Sequence, residues 1–122
     1  MNNTDTLARD ETGDLISSAK VEGTAVFGRD GEKLGTIDHF MVGKRDGRVR
    51  YAVMSFGGLF GMGENYHPLP WDQLTYDEDK GGYRVGLDKD RLKDAPSYRR
   101  DQEPRYDRDF NRRVFGYYGS AN

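Results

Sequence analysis

Val49-Arg50-Tyr51-Ala52-Val53-Met54-Ser55-Phe56 is the stretch whose reading decides the fold. After Arg50 both parities are apolar: Val49, Tyr51 and Val53 alternate with Ala52, Met54 and Phe56. A short run rich in β-branched and aromatic residues favours a strand, and a strand standing half in water would carry polar residues on one parity. Both faces of this strand are therefore expected to be covered. One can look into the interior of a rolled sheet. The other needs a lid, supplied by the C-terminal segment or by a second copy of the protein.

On either side of this run, short apolar stretches alternate with glycine-bearing turns, the pattern of consecutive antiparallel strands. Asp30-Gly31 joins a strand ending near Phe27 to one starting near Lys33, and Asp46-Gly47 joins a strand reaching Val42 to the central run. A glycine-rich loop from Gly57 to Gly63 leads to a strand around Asn65 to Leu69, and Asp79-Lys80-Gly81-Gly82 connects Leu74–Tyr76 with Tyr83–Leu87. Gly35 is expected to mark a bulge or a tight bend. Five or six strands follow. A small sheet turned this tightly tends to curl and remove its edges, so the expected architecture is mainly β, a small antiparallel barrel.

Beyond Leu87, Asp88 is a fair N-cap for a helical turn over Lys89–Lys93, which stops before Ala95-Pro96. Residues Ser97 to Pro104 are charged and expected to be extended. Tyr106, Phe110 and Val114 then recur every four residues, with Tyr117 joining the stripe and Asp107, Arg108, Asp109 and Arg112 off it, which predicts a short amphipathic C-terminal helix that Gly116 would interrupt or cap. About ten residues do not hold helicity alone in water, so this helix must dock. The organisation expected is a polar, disordered leader over residues 1–19, one domain over 20–95, and a charged linker with the helix over 96–122.

The chain has 122 residues and a mass of 13.9 kDa, with 34% hydrophobic and 33% charged residues, which allows one small domain with polar extensions and excludes a multi-domain enzyme. The absence of cysteine removes disulfides, thiolate metal sites and cysteine nucleophiles, and suits a reducing compartment. No cationic, apolar leader or transit pattern opens the sequence, and no apolar run approaches the roughly 20 residues of a spanning helix. The expectation is a cytoplasmic protein without a membrane span. A net charge of -2 gives no global basic field for nucleic acid.

Taken in order, Glu22-Gly23-Thr24-Ala25-Val26-Phe27, Gly31-Glu32-Lys33-Leu34-Gly35-Thr36-Ile37, Gly47-Arg48-Val49-Arg50-Tyr51-Ala52-Val53, the Gly57-Gly58 loop and Pro68-Leu69-Pro70-Trp71-Asp72-Gln73-Leu74 resemble the PRC-barrel domain family. That family takes its name from the photosynthetic reaction centre H subunit and includes the second domain of the RimM-type ribosome-maturation factor. The resemblance covers roughly Lys20 to Ala95. It implies a small PRC-type β-barrel used as a docking module, sometimes in stand-alone bacterial proteins that self-associate, and it implies no shared catalytic residue. The sequence given carries neither the membrane-spanning helix of the reaction-centre subunit nor the separate N-terminal domain of the ribosome factor. An electron-transfer role would therefore rest on kinship alone, and fold kinship is a weak guide to function.

Chemical motifs are sparse. His39 and His67 have no third ligand at metal spacing, and both read as structural or surface residues. Asp77 to Asp88 imitates a calcium loop but puts Gly81 at a ligand position, closes with Asp rather than Glu and is flanked by strands. Gly58, Gly61 and Gly63 lack the following helix and Lys-Ser/Thr of a phosphate cradle. Ser17, Ser18 and Ser97 lie in polar segments without the strained turn of a nucleophile. No catalytic residue, cofactor, metal or small-molecule substrate is expected.

The expected function is a non-enzymatic interaction adaptor, self-associating as a homodimer or docking another protein. The contact residues are Leu59, Phe60 and Met62, apolar side chains on a glycine-softened loop, together with Trp71, Tyr106, Phe110 and Val114. The alternative is an RNA- or ribosome-maturation-associated factor. Its basis is the run Arg91 to Arg113, which holds eight Lys/Arg against five Asp/Glu and interleaves Tyr98, Tyr106 and Phe110. The interspersed carboxylates weaken that field, and nucleic acid is the less favoured partner.

Overall fold

A computed structural model describes residues 13–56 and 65–120. The expected glycine-rich loop with Leu59, Phe60 and Met62 lies outside the described residues, as does the leader up to residue 12. The elements in chain order are α1 (Ser18–Val21), β1 (Ala25–Phe27), β2 (Lys33–Val42), β3 (Val49–Phe56), β4 (Asn65–Pro70), a 3-10 turn (Trp71–Gln73), β5 (Thr75–Asp77), β6 (Gly82–Arg84), α2 (Lys89–Lys93), β7 (Tyr98–Arg99), a second 3-10 turn (Arg100–Gln102) and α3 (Arg108–Tyr118). They form one seven-stranded sheet in the order β5-β6-β1-β2-β3-β4-β7.

Two features depart from the expected closed antiparallel barrel of five or six strands. The sheet has seven strands and β1 runs parallel to β6, with Val26 opposite Tyr83. Among the described residues it also stays open, with β5 and β7 as its edges. The chain path explains both. After β4 the 3-10 turn carries the backbone across to the far side of the sheet, where the β5–β6 hairpin arrives next to β1 in the parallel sense. In a flat sheet β4 and β5 would stand five strand spacings apart, about 24 Å. The stretch from Pro70 to Thr75 spans at most about 18 Å even when fully extended. The sheet is therefore strongly curled although its edges do not pair.

Curling puts one sheet face inside. There Val26, Leu34, Ile37, Ala52, Met54 and Leu69 are buried together, closed over by Val21 of α1 and Leu92 of α2. Asp88 caps α2 as expected, its side chain accepting from the Arg91 N–H at 2.9 Å. Gly35 sits beside a bulge, since Val26 faces Gly35 while Phe27 faces Lys33. A methyl group at Gly35 would collide with the Ser55 carbonyl oxygen and the Met54 side chain, so the close crossing of β2 over β3 requires glycine there.

Both faces of β3 are covered. Ala52 and Met54 belong to the interior layer, while Tyr51 and Val53 lie in a second layer with Tyr66 of β4 and with Phe110 and Val114 of α3. The lid over the outer face is thus the chain's own C-terminal helix. Asp107 caps its start, accepting from the Phe110 N–H at 3.0 Å. Gly116 does not end the helix, contrary to expectation. The chain turns at Gly119, in the left-handed region at φ 72°, and the Ser120 N–H donates to the Phe115 carbonyl in a Schellman-type ending. The Ser120 hydroxyl then accepts from Gln73 and donates to Asp72, each at 2.7 Å, which ties the helix end to the 3-10 turn after β4.

Candidate functional site

Where β3 begins, the 3-10 turn after β4 and the middle of α3 converge on a groove of about 590 Å³, lined by Arg48, Val49, Arg50, Tyr51, Trp71, Asp72, Asn111 and Phe115. Its floor is aromatic. The Tyr51 and Phe115 rings stack with centroids 5.2 Å apart, and the Tyr51 hydroxyl donates to Asn111 Oδ1 at 2.6 Å. Burial pushes the Tyr51 phenol up to about 12, so at neutral pH it stays a hydrogen-bond donor. Trp71 forms the wall. It is half-buried, edge-on to Phe40 at 5.8 Å and tilted against Tyr83 at 5.6 Å, so its indole is fixed by the interior layer.

The rim carries charge. Asp46, in the turn before β3, accepts from the Arg48 backbone N–H at 3.0 Å and from the Arg50 guanidinium at 2.7 Å. The backbone hydrogen bond from Arg48, followed by the Arg50 charge, holds the Asp46 carboxyl below the usual range. Asp46 therefore pairs with Arg50, and the Arg48 charge acts more weakly on the same carboxylate. On α3, Arg108, Asn111, Arg112 and Phe115 follow one another at helical i, i+3, i+4 and i+7 spacing, and Asn111 and Phe115 line the groove. Arg112 stands 3.7 Å from Asp109, whereas Arg108 has no ion pair among the described residues.

Of the expected contact residues, the structure brings only Trp71 to this groove. Phe110 and Val114 are buried against β3 and β4. Tyr106 packs edge-on to Tyr51 and shares a hydrogen bond with the Tyr98 hydroxyl at 2.7 Å. Leu59, Phe60 and Met62 lie outside the described residues. Sequence reading missed Arg48, Arg50, Asp72, Asn111 and Phe115. The one available signal was Arg48 and Arg50 on a single parity at the polar start of an otherwise apolar strand.

The two histidines differ. His39 is partly exposed and bonds through Nδ1 to Asp38 at 2.6 Å. His67 is 2% exposed in the interior layer, edge-on to Phe56, with Nδ1 unpartnered. Desolvation lowers its pKa to about 4 and keeps it neutral at pH 7. Among the described residues no group of three His, Asp or Glu side chains is placed to hold a metal, and no helix is long and apolar enough to cross a membrane.

An uncharacterized protein of Deinococcus radiodurans is 36% identical over 80 residues, which cover 66% of this chain and 28% of that protein. Among solved structures, the protein named as the 16S ribosomal RNA processing protein RimM of Pseudomonas aeruginosa aligns with a TM-score of 0.41 and 24% identity, covering 69% of this chain and 50% of that one. The chain therefore spans half or less of each relative. The family model described as the PRC-barrel domain matches residues 13–92, from just before α1 to the buried Leu92 of α2. That stretch supplies every buried residue of the interior layer except Ala95, and on this match the chain belongs to the PRC-barrel domain family.

Proposed function

We propose that this chain is a non-enzymatic adaptor of the cytoplasm, a small curled-sheet module that docks another protein. The observation that carries the reading is the groove. It joins a fixed indole, an aromatic floor and the exposed arginines Arg48 and Arg50 where β3, the 3-10 turn and α3 meet, which is the composition of a contact surface. The displaced pKa values support the non-enzymatic part. His67, Tyr106 and Tyr118 are shifted chiefly by burial within packed layers, and burial is also the first cause at Tyr98, which lines a second cavity with Asp38, His39 and Glu103.

Self-association belongs to the same reading, with its ground moved. The outer face of β3 is occupied by α3, so a twin would meet the open edge strand β5, where Tyr76 is 40% exposed. Light scattering across a dilution series tests this, and a monomer at every concentration removes the homodimer. Affinity capture from the native cell with the full chain as bait tests the adaptor. One protein retained in stoichiometric amount is expected, and its absence defeats the reading.

The alternative, an RNA- or ribosome-maturation-associated factor, draws on the exposed guanidinium groups of Arg99, Arg100, Arg105, Arg108, Arg112 and Arg113. It is weakened because Tyr98 and Tyr106, the rings it would use for base stacking, are bonded to each other and packed on the sheet. It predicts steeply salt-dependent RNA retention, lost on neutralising Arg99, Arg100, Arg112 and Arg113.

A further inference from the structure

We infer that α3 is a displaceable cover, and that the face beneath it on β3 and β4 is where the docked protein inserts an amphipathic helix of its own. This rests on the adaptor reading and names its docking surface and the class of partner. The occupant's chemistry is read from the segment seated there now. Its Tyr106, Phe110 and Val114 recur every fourth residue and lie in one layer with Tyr51, Val53 and Tyr66. Between the second and third of them, Asn111 accepts from the Tyr51 hydroxyl at 2.6 Å. A partner helix with a large apolar residue every fourth position and an amide or carboxylate acceptor at that point fits the same face.

The hold of α3 on the sheet is weaker than this fold would allow. Gly116 lies exposed within the helix, and among the described residues a methyl group there would meet nothing within 4 Å. Alanine would fit and strengthen the helix, since glycine is the poorest helix former after proline. Among the described residues the helix's one ion pair, Arg112 with Asp109, is internal, so no charge pair ties it to the sheet. Apart from Asn111, its polar ties gather at the C-terminal end, where Ser120 bonds Asp72 and Gln73 and the Tyr117 hydroxyl donates to the Arg91 carbonyl. The groove of about 590 Å³ is an unfilled seam, with Val49 and Tyr51 of β3 on one side and Asn111 and Phe115 of α3 on the other. The short tether from β7 holds α3 at an effective concentration on the order of millimolar, so a partner helix prevails only over a weak cover. A second copy is the poorer occupant. Its α3 would give up the same contacts that it gained, and association would still cost freedom of motion.

The probe is a fluorescein-labelled peptide of residues 104–120, titrated into the full chain and read by anisotropy. Saturable binding is expected. A Ser120→Ala chain, which loses the end latch, should bind the peptide several-fold more tightly than the wild type. A Gly116→Ala chain should bind it roughly fivefold more weakly, because the covering helix is firmer while the face beneath is unchanged. A peptide carrying Phe110→Asp should not bind. If Ser120→Ala does not fold, Gly116→Ala decides, since it adds stability. No saturable binding, an affinity that Gly116→Ala leaves unchanged, or equal binding of the Phe110→Asp peptide each overturns the proposal. A concentration-dependent doubling of mass that Gly116→Ala suppresses would give the face to a second copy and overturn its assignment to a different protein. A captured cellular partner held equally by the wild type and by Gly116→Ala would overturn the cover while leaving the adaptor reading intact.

Discussion

The two apolar layers on either side of β3 are built differently. The interior layer is largely aliphatic, made by Val26, Leu34, Ile37, Met54, Leu69 and Leu92. The outer layer is aromatic, made by Tyr51, Tyr66, Tyr98, Tyr106 and Phe110 around Val53 and Val114, and the hydroxyls of Tyr51, Tyr98 and Tyr106 are tied off in side-chain hydrogen bonds. The interior layer falls almost wholly within the stretch matching the family model, whereas β7 and α3 lie beyond it. The interior layer takes only the partly buried Tyr117 and Tyr118 from α3, whereas a helix of eleven residues cannot stand without the sheet. The difference implies two units of unequal stability, with the outer one opening first.

The most damaging change should therefore be in the interior. Leu69 of β4 is fully buried in the interior layer, and Leu69→Ala is expected to cost about 3–4 kcal/mol, read as a lower denaturant midpoint for strand and helix signals together. Phe110→Ala should cost about 3 kcal/mol, the range for truncating a buried phenylalanine, but with a different signature. Amide exchange in α3 should speed up strongly while the protected amides of β2 and β3 change little. A uniform loss of protection through the sheet would show that the two layers unfold as one.

Acid distinguishes the layers further. His67 belongs to the interior, and burial lowers its pKa from the ordinary 6.5 to about 4. The unfolded chain takes up this proton below pH 6.5 and the folded chain does not until about pH 4. Stability from this group is thus complete above 6.5 and is lost as pH falls toward 4, by about 2–3 kcal/mol. In His67→Leu, of similar volume, the fall in thermal midpoint between pH 6.5 and 4 should be shallower than in the wild type. Equal slopes would mean that His67 gains its proton freely in the folded state.

The legible parts of this structure were those with a short-range signal. Apolar residues on both parities announced the double covering of β3, and the four-residue recurrence of Tyr106, Phe110 and Val114 announced a helix that had to dock. Gly116 and Gly119 were indistinguishable as terminators from local sequence, because the choice is made by Ser120 bonding to Asp72 and Gln73, more than forty positions earlier in the chain. The parallel pairing of β1 with β6 joins two three-residue strands, too short to show a period, across more than fifty positions. The groove was hidden for the same reason, since its walls come from residues 48–51, 71–72 and 111–115. Its arginines look like ordinary surface charge until the fold brings them to one aromatic floor.

Alkali should act on the opposite layer from acid. The Tyr51 phenol, pushed up to about 12 by burial, and the Tyr98 and Tyr106 phenols, also raised chiefly by burial, all belong to the outer layer. For Tyr51 the folded pKa lies above the unfolded value near 10, so the unfolded chain loses this proton first. Its contribution is fully present below pH 10 and disappears as pH rises toward 12, by about 1–2 kcal/mol after allowing for water reaching the edge of the groove. Protection of the α3 amides should decay over that window ahead of β2 and β3. In Tyr51→Phe the decay should be shallower, at the cost of the hydrogen bond to Asn111, which can turn its amide to solvent. If the β2 and β3 amides lose protection together with α3, the helix and the sheet form a single cooperative unit, and the aromatic layer is as much a part of the domain as the interior.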